Sequence, residues 1–530
     1  MEETPDLNGA YPRLDREQIG LVAAYGEQRP THRGDVLFSE GDRDYAFFLV
    51  LAGTVEILDK GEVIRVHGPG RFLGELGLLT GQPTFLTARV AEPGEVIAMP
   101  PGRLRELAAQ EPWFGDLVLR AFLIRRSLLI AQGAGLRIIG SRFSARCRRL
   151  RDFVVRNRLP HRWIDLEDDE DAETLLRGLS IPVSETPVVI LDGKRVLRNP
   201  GDDELPRLLG LPPPAPASSA HDLLIIGAGP AGLAAAVYGS SEGLDTMVVD
   251  AIATGGQAGT SSKIENYLGF PAGISGADLA DRAVIQAGRF GAKLQVPGEA
   301  TGLRVRSDRY TVDLGGGGEL SGRTVVIATG ARYRRLDVPH LEDFDGAGVY
   351  YAATQVEALQ CRHMPVAIVG GGNSAGQAAV FLARHATRVL LFVRGAELGE
   401  NMSRYLVDRI EHCPEIEVFL HTEIREVHGH DFLEEAVAVN NRTSEARRFE
   451  IRALFVFIGA APCVDWLADT VELDDKGYVR TGGPQALPLE TSLPGVLAVG
   501  DVRSGSIKRV ASAVGEGAMA VRMAFVRLNR

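Results

Sequence analysis

The amino-acid sequence predicts a multidomain α/β protein with a small N-terminal β-barrel, a compact mixed α/β domain and a large region that contains two nucleotide-binding folds. Three observations predict this architecture. Short β-type runs alternate with glycine turns before residue 131, and a run of prolines interrupts the chain at 211–219. After that run, a buried strand, a glycine-rich turn and a helix of small residues occur together twice. A chain of 530 residues has room for about three to four domains.

The composition excludes several classes of protein. The chain carries 58 Lys and Arg residues against 69 Asp and Glu residues, and its net charge of −11 disfavours DNA binding. Its four cysteines argue against a disulfide scaffold and for a reducing compartment. The acidic N-terminus has no apolar signal segment, and the longest apolar stretch, 121–130, is interrupted by two arginines. We therefore predict a cytoplasmic protein with no DNA partner and no membrane partner.

The predicted domain boundaries follow changes in the hydrophobic pattern. In the first domain, residues 47–51 and 54–58 are predicted to be paired strands with Gly53 at the turn, and a helix is predicted from Leu104. The second domain is predicted to run strand, helix, strand, helix, strand pair and short helix. The predicted segments are a barrel at 1–131, a mixed α/β domain at 135–211, a proline-rich linker at 212–221, one dinucleotide-binding domain in two parts at 222–337 and 458–530, and a second one at 338–457.

The first glycine motif follows four apolar strand residues and opens a helix. Its first glycine, Gly227, makes a tight turn, Gly229 lets the backbone approach a pyrophosphate, and Gly232 lets the helix pack on the strand. The helix N-terminus then offers unpaired N–H groups to the phosphates. The next strand ends at Asp250, where a carboxylate would hold a ribose diol. This combination predicts a Rossmann-like dinucleotide site.

An ordered set of motifs from about Asp222 onward resembles the low-molecular-weight thioredoxin reductases, which are class II pyridine nucleotide–disulfide oxidoreductase flavoproteins. The motifs are GAGPAG at 227–232, GGQ at 255–257, ENYLGFP at 265–271, ATG at 328–330, GGGNSA at 370–375 and GD at 500–501. The resemblance implies a homodimer that binds FAD. The residues it implies for FAD are Gly227, Gly229, Gly232, Asp250, Gly256, Gln257, Asn266, Thr329, Gly330, Gly500 and Asp501.

The second glycine motif resembles the nicotinamide-binding half of this family. The residues it implies for NADP are Gly370, Gly372, Asn373, Ser374, Ala375, Arg394 and Arg404. The family grips the 2′-phosphate with a His-Arg-Arg run, whereas this chain offers Arg394 and, as a second contact, Arg404. No acid ends the preceding strand to bind a ribose diol, so NADPH is favoured and NADH stays an alternative donor. A pyridine-nucleotide site that is weakened or no longer binds is the other interpretation.

The dithiol of thioredoxin reductases is missing from this sequence. Ala353 and Val356 occupy the two positions of the family's Cys-x-x-Cys, so a dithiol relay from flavin to a partner cannot operate there. The catalytic group is therefore the flavin itself. Lys508 and Arg509 are candidates to stabilise the anionic reduced flavin, with a dimer surface as their alternative role.

The second domain resembles glutaredoxin-like and thioredoxin-like folds. Thr186 and Pro187 precede a strand where such folds keep a cis-proline, and Ser144 and Cys147 lie at the start of the first helix. Ser144 occupies the place of the nucleophilic cysteine, which a helix N-terminus would activate. We therefore predict a structural or docking module in preference to a redox one.

The first domain resembles the cyclic-nucleotide-binding domain. Residues 72–79 match its phosphate-binding cassette, in which Glu75 would bind the ribose 2′-hydroxyl. The cassette's arginine is replaced by Thr84, which removes a charged phosphate partner worth about 1.5–3 kcal/mol. A cyclic nucleotide is thus a predicted partner that binds weakly or no longer binds.

These features predict an FAD-dependent NAD(P)H oxidoreductase in which a flavin reduced by NADPH passes electrons directly to an acceptor. The sequence does not distinguish between four classes of electron acceptor, which are a small disulfide, a quinone, oxygen and a ferredoxin-like carrier. The alternatives are a ferredoxin/flavodoxin–NADP reductase-like enzyme, a non-enzymatic flavin or nucleotide redox sensor, and a reductase gated by cyclic nucleotide. No metal ligands are predicted.

Overall fold

The computed structural model describes 3–78, 83–132, 135–141, 144–167, 169–191, 195–201, 204–209, 220–261, 264, 267–306, 309–344, 347–351, 353, 358, 361–400, 402–430, 432–467, 470–483 and 486–529. The chain divides into two units. The first comprises Met1–Ala228, Leu233–Thr254 and Ala280–Val325, and the second comprises Gly229–Gly232, Gly255–Leu279 and Val326–Arg530.

The N-terminal part of the first unit is a six-stranded antiparallel sheet with flanking helices. Its strands are β1 (Glu27–Thr31), β2 (Val36–Phe38), β3 (Phe47–Asp59), β4 (Glu62–His67), β5 (Phe72–Leu73) and β6 (Thr87–Met99). Its helices are α1 (Arg16–Ala23), α2 (Glu75–Leu78), α3 (Pro101–Gln110) and α4 (Pro112–Ala131). The central pair is β3 and β6, while β1 and β2 pair with β6, and β4 and β5 pair with β3. Phe47, Phe72 and Phe114 pack together where the helices cover the sheet.

The predicted turn at Gly53 is wrong, because β3 runs through this residue without reversing. Gly53 has a φ of +79° in a bulged part of the β3–β6 ladder, and an added Cβ there would lie 2.5 Å from the Glu92 carbonyl oxygen. The glycine therefore permits a close approach between two backbones. The chain reverses at Lys60 and Gly61, whose φ angles are +53° and +89°, a combination typical of a two-residue hairpin.

The second domain has the predicted elements in the predicted order. They are β7 (Leu136–Gly140), α5 (Ala145–Arg156), β8 (His161–Asp165), α6 (Glu170–Gly178), β9 (Val188–Leu191), β10 (Arg195–Arg198) and α7 (Glu204–Leu208). The sheet order is β10–β9–β7–β8, with β8 parallel and β9 antiparallel to β7. Every residue of β9 is buried, as expected for a strand inside the sheet. The peptide bond between Thr186 and Pro187 is cis.

The first unit also contains most of a sheet that carries the first glycine motif. Its elements are β11 (His221–Ile226), α8 (Pro230–Ser241), β12 (Thr246–Val249), α9 (Gly276–Arg289), β13 (Lys293–Gln295), β14 (Ala300–Val305), β15 (Tyr310–Leu314) and β16 (Gly318–Ile327). Strands β11, β12 and β13 are parallel, while β14, β15 and β16 form an antiparallel meander beside them. The last four residues of β11 are buried, which matches the apolar run that precedes the motif.

The second unit is organised around a parallel sheet of order β18–β25–β19–β20–β21. Its strands are β17 (Ala331–Tyr333), β18 (Val349–Tyr350), β19 (Pro365–Val369), β20 (Arg388–Val393), β21 (Ile416–Leu420), β22 (Thr422–Gly429), β23 (Leu433–Asn440), β24 (Ala446–Glu450), β25 (Ala453–Val456), β26 (Ala460–Pro462) and β27 (Val496–Ala498). Its helices are α10 (Asn373–Leu382), α11 (Arg404–Glu411) and α12 (Val510–Leu528). Two apolar clusters contain alternate residues of β19 and β20, because both faces of a parallel sheet are covered.

Short 3₁₀-helices connect these elements at Leu7–Gly9, Val183–Glu185, Ala258–Thr260, Leu341–Phe344, Leu398–Glu400, Asp465–Leu467 and Gly500–Val502. Over the described part of the chain, we find no helix with the length and apolar character needed to cross a membrane.

Candidate functional site

The turn after β11 is held by Asp250, the residue that ends the next strand. Gly227 has a φ of +110°, and its N–H donates to the Val249 carbonyl over 2.7 Å. The Ala228 N–H donates to Asp250 Oδ2 over 2.7 Å, and the Ile252 N–H donates to Oδ1 over 3.0 Å. The sequence assigned Asp250 to a ribose diol. The structure adds a role in bracing the glycine turn, which sequence reasoning missed.

In the second unit, Gly229 lies against Gly256 with no side chain between the two backbones. An added Cβ on Gly256 would lie 3.0 Å from the Gly229 Cα, and the φ of Gly256 is +54°. Gly229 immediately precedes α8, so the bare backbone leads into a helix N-terminus with its unpaired N–H groups. This is the geometry that a pyrophosphate requires, since the phosphates must approach the peptide backbone closely.

The ATG motif at 328–330 lies beside Gln257 in the same unit. The Gln257 side-chain amide donates to the Ala331 carbonyl, and the Thr329 hydroxyl donates to the Cys463 carbonyl over 2.8 Å. Gly330 has a φ of +70° and open space where a side chain would be. Gln257 and Thr329, which the sequence predicted as cofactor ligands, therefore donate hydrogen bonds to backbone carbonyl groups in this structure. The space beside Gly330 is open and has room for a bound group. Asn266 lies outside the described residues.

The turn at the GD motif, which begins at Gly500, is also held by a carboxylate. The Gly500 N–H donates to Glu516 over 2.7 Å, and Arg503 pairs with the same carboxylate over 2.5 Å. An added Cβ on Gly500 would lie 3.1 Å from the Ala231 side chain, so this turn packs on the start of α8. Neither Glu516 nor Arg503 was predicted, because their contribution depends on contacts across the fold.

Asp501 follows this turn in a partly buried position with Tyr333 and Lys508 nearby. Burial raises the pKa of Asp501, and the Lys508 ammonium opposes that change. Burial, together with the charge of Asp501, also raises the pKa of the Tyr333 hydroxyl. Burial therefore disfavours the ionised form of Asp501. A hydrogen-bond donor such as a polyol hydroxyl would stabilise that form.

Lys508 is an exposed cation that is held in place by an aromatic ring. Its ammonium lies 4.9 Å from the centroid of the Tyr478 ring and donates to the Tyr478 hydroxyl over 3.1 Å. The Tyr478 hydroxyl in turn donates to the Ala460 carbonyl over 3.0 Å. Arg509 is exposed and precedes α12 as its N-cap residue. Of the two predicted cations, Lys508 is thus the one with a fixed position.

The residues of the second unit described above fit a dinucleotide cofactor such as FAD. The bare crossing of Gly229 and Gly256, the helix N-terminus after it and the open space at Gly330 are each suited to a large ligand that lies against backbone. No group of His, Cys, Asp and Glu side chains within the described ranges could hold a metal ion.

The second glycine motif occupies the corresponding strand-to-helix turn after β19. Gly370 has a φ of +146°, and an added Cβ would lie 2.4 Å from the Phe457 carbonyl oxygen. Gly372 is the N-cap residue of α10, Ala375 is buried, and Asn373 and Ser374 are exposed at its first turn. The Asn373 side-chain oxygen accepts from the Ser403 N–H over 2.7 Å, which ties the start of α10 to the residue before α11.

Arg394 and Arg404 are both exposed at the ends of elements that follow the second glycine motif. Their side chains are 83% and 79% exposed, Arg394 directly after β20 and Arg404 at the first residue of α11. Arg394 Nε lies 3.8 Å from Glu423, and Arg404 Nη2 lies 2.8 Å from Asp408. Exposed ion pairs contribute about 0–1 kcal/mol, so a phosphate dianion can compete for both guanidinium groups.

The four cysteines are reduced thiols. All four are described, and none forms a disulfide. Cys147 and Cys361 are buried, and the pKa of the Cys413 thiol is raised by burial and by Glu415. Ala353, which the sequence analysis aligned with the first cysteine of the family's dithiol, packs partly buried against an apolar cluster. Val356, at the second position, lies outside the described residues.

The predicted nucleotide residue of the first domain, Glu75, is already paired with an arginine. Glu75 begins α2, and its Oε1 accepts from Arg125 of α4 over 2.6 Å, with both side chains at most 5% exposed. The Thr84 hydroxyl donates to the Ser39 carbonyl. Sequence reasoning missed Arg125, since the two partners are 50 residues apart and nothing local connects them.

Comparisons with known proteins agree with this geometry. Residues 221–517 match the pyridine nucleotide-disulphide oxidoreductase family, and residues 28–111 match the cyclic nucleotide-binding domain family. The chain is 32% identical over 311 residues to a thioredoxin reductase of Mycoplasmopsis pulmonis, covering 58% of this chain and 98% of the relative. It is 34% identical over 300 residues to a thioredoxin reductase of Mycolicibacterium smegmatis, covering 57% of this chain and 94% of the relative.

Solved structures give the same result for the C-terminal region. The thioredoxin reductase of Lactococcus lactis superposes with a TM-score of 0.51 at 28% identity, covering 58% of this chain and 99% of that chain. The thioredoxin reductase of T. acidophilum superposes with a TM-score of 0.50 at 27% identity, covering 59% of this chain and 99% of that chain. Each superposition leaves about two-fifths of this chain uncovered.

Proposed function

The chain belongs to the pyridine nucleotide-disulphide oxidoreductase family, and from that membership we propose an FAD-dependent NADPH oxidoreductase that passes electrons to its acceptor without a dithiol relay. The observation that carries the proposal is the state of the cysteines. None forms a disulfide, and Ala353 stands where the first thiol of the relay would be. A relay needs two thiols that exchange with a partner disulfide, so the flavin must serve the acceptor directly.

The residues of this chain would bind and orient the cofactors. The backbone at Gly229 and Gly256 and the N-terminus of α8 would hold the pyrophosphate of FAD, and Asp501 would accept from its ribityl chain. When bound, FAD supplies the ring that accepts a hydride. Lys508, fixed on Tyr478, would place a positive charge where the reduced ring becomes anionic. The acceptor is a small disulfide, a quinone, oxygen or a ferredoxin-like carrier.

The remaining parts of the proposal concern the N-terminal domains and assembly. We assign the domain at 135–211 to a thioredoxin-like fold on its sheet order. Cys147 is fully buried and Ser144 caps α5, so the domain would dock partners or stabilise the chain without redox chemistry. The protein would act in the cytoplasm as a homodimer, and the N-terminal domain, which matches the cyclic nucleotide-binding domain family, would regulate it.

An anaerobic titration with NADPH tests the absence of a relay. A protein whose only redox group is FAD consumes about one NADPH per flavin, whereas a flavin with a redox-active disulfide consumes about two. We expect one equivalent to bleach the flavin band fully, and we expect iodoacetamide treatment of the reduced protein to leave steady-state turnover with a quinone unchanged.

The C463S variant serves as the internal control, because Cys463 is the cysteine hydrogen-bonded to the ATG motif. It should titrate like the unsubstituted protein. Consumption of two equivalents, or loss of the second equivalent in C463S, would contradict the proposal. No bleaching by NADPH or NADH, with chemical reduction still effective, would favour the redox sensor.

The preference for NADPH is predicted to depend on the two exposed arginines. Replacing Arg394 or Arg404 with alanine removes a charged partner of the 2′-phosphate, which is worth about 1.5–3 kcal/mol. The expected result is a fall of about 10-fold to 100-fold in kcat/KM for NADPH with no change for NADH. The R388A variant is the matched control, since Arg388 is exposed at the opposite end of β20. Equal losses with both nucleotides would show that the arginines do not bind the phosphate.

A further inference from the structure

The end of α5 contacts the loop at 250–253, which follows β12. Asn157 is the C-cap residue of α5, and its side-chain amide donates to the Ile252 carbonyl over 3.0 Å and to the Phe153 carbonyl over 2.9 Å. Both acceptors are carbonyl oxygens, so only the NH2 group of the amide can face them. Asn157 precedes the region that matches the oxidoreductase family, whereas Ile252 lies within it. A residue outside that region therefore fixes a loop inside it.

The loop that Asn157 contacts also holds the first glycine turn. Asp250 Oδ1 accepts from the Ile252 N–H over 3.0 Å and from the Ala253 N–H over 3.2 Å. The other oxygen of Asp250, Oδ2, accepts from the Ala228 N–H over 2.7 Å. Ile252 is thus held by Asp250 at its N–H and by Asn157 at its carbonyl. A displacement of Ile252 would move the carboxylate to which the glycine turn is bonded.

Arg126 of α4 holds the backbone of the segment that contains Asn157. Its Nη2 donates to the Asn157 carbonyl over 3.1 Å and to the Arg158 carbonyl over 2.9 Å. Its Nε donates to the Arg158 carbonyl over 3.1 Å. Arg126 is buried, and hydrogen bonds from a charged donor are stronger than neutral ones. The helix that ends the first domain therefore fixes the segment that ends α5.

Asp281 of α9 holds the same segment from within the oxidoreductase region. The Arg158 guanidinium pairs with the Asp281 carboxylate, and Arg126 Nη1 lies 3.9 Å from it. Asp281 is buried, and a buried carboxylate is costly unless it is paired. Arg158 has a φ of +52°, in the left-handed region that usually takes glycine or asparagine at a helix end. A backbone of this kind persists where its surroundings fix it, and Arg126 and Asp281 supply such contacts here.

We propose that Asn157 is a positioning residue for FAD and that the second domain serves to hold the loop at 250–253 in the conformation that the cofactor requires. The inference rests on the proposed FAD site, to which Asp250 and the glycine turn belong. A loop that is already held in its binding conformation does not have to be ordered when the cofactor binds. When the loop leaves that conformation, the apparent Kd rises in inverse proportion to the fraction that stays competent. Arg126 acts one step earlier, through the segment that carries Asn157.

The Kd for FAD, measured by flavin fluorescence on the full-length apoprotein, tests the proposal. N157A removes the donor to the Ile252 carbonyl, and we expect the Kd to rise about 3-fold to 10-fold, which is the effect of one hydrogen bond. R126M keeps the apolar stem of Arg126 without its donors, and it should raise the Kd by at least the same factor. The double variant should bind FAD within about 2-fold of R126M, because both substitutions act on one segment.

V189A separates positioning from stability. Val189 of β9 is fully buried in the apolar core of the same domain, so its truncation should lower the Tm at least as much as N157A does. It should nevertheless leave the Kd for FAD within about 2-fold of the unsubstituted protein. In the FAD-loaded proteins, the KM for NADPH should be the same in N157A as in the unsubstituted chain, since the loop at 250–253 belongs to the first glycine motif and not to the second.

Two results would overturn the inference and leave the proposed FAD site in place. They are an unchanged Kd in N157A and an equal rise of the Kd in V189A. N157A decides the matter if R126M does not fold, because Asn157 is only partly buried. An unsubstituted apoprotein that does not bind FAD would overturn the proposed function and, with it, the role given to Asn157.

Discussion

Replacing Gly256 with valine is expected to produce a protein that folds but purifies without FAD. The φ of Gly256 is +54°, a region that β-branched residues do not adopt without strain, and an added Cβ would lie 3.0 Å from the Gly229 Cα. The valine would force the two backbones apart at the place where the pyrophosphate must approach. We expect the Kd for FAD to rise at least about 100-fold, measured by flavin fluorescence on the apoprotein.

The control for this variant is G288V. Gly288 lies on α9 with ordinary φ and no atom within 4 Å of an added Cβ, so valine there should leave FAD binding unchanged. Far-UV circular dichroism should match between G256V and G288V. A yellow G256V protein with a Kd close to that of the unsubstituted chain would refute the role we give to this crossing.

The second large effect is expected on stability, from replacement of Arg527 with alanine. Glu490 is 1% exposed, and its carboxylate accepts from Arg527 of α12 at both oxygens and from the Gly495 N–H over 2.7 Å. R527A removes the cation and leaves a buried carboxylate with too few partners. Breaking such a buried pair costs about 3–5 kcal/mol, which denaturant unfolding should report. R522A, an exposed arginine on the same helix, should stay within about 0.5 kcal/mol.

The same pair predicts a direction for the pH dependence. Burial alone would raise the pKa of Glu490, but the hydrogen bonds from Arg527 and from backbone amides outweigh it and lower the pKa below its ordinary value of 4.5. A carboxyl group with a lowered folded-state pKa contributes stability above pH 4.5 and loses it as the pH falls through the folded-state value. Below pH 4.5 the unfolding free energy should therefore fall less steeply in E490Q than in the unsubstituted protein. If the unfolding free energy falls equally steeply with pH in both proteins, groups other than Glu490 cause the loss of stability in acid.

Local signals in the sequence were enough for the elements that position the cofactor sites. The apolar run before Gly227 predicted the buried strand β11, and the glycines predicted the turns, since both depend on neighbouring residues alone. The helix α5 begins after Ser144, at the place where the sequence predicted the start of the first helix of this domain. The same local reasoning failed at Gly53, because a glycine that permits a bulge and a glycine that permits a turn differ only in the strand that lies opposite.

The contacts that fix the site chemistry could not be predicted, because they join distant parts of the chain. Asp250 was correctly placed at the end of a strand, but its bond to the Ala228 N–H depends on how β11 and β12 align. The pairing of Arg125 with Glu75 required α4 to pack against α2, which lies far earlier in the chain. Charged residues carry no sequence signal for which partner they will meet when buried.

Arg126, the residue after Arg125, shows that the N-terminal domain is not an independent module. Its guanidinium donates to the carbonyls of Asn157 and Arg158 and lies 3.9 Å from the Asp281 carboxylate, while Asn157 donates to the Ile252 carbonyl over 3.0 Å. Arg126 is buried, so a fragment cut after residue 131 would keep the cation and lose every one of these acceptors. An exchange of the first domain alone would therefore place Arg126 against a surface that no longer matches it. The first domain can be replaced only together with the residues that accept hydrogen bonds from Arg126.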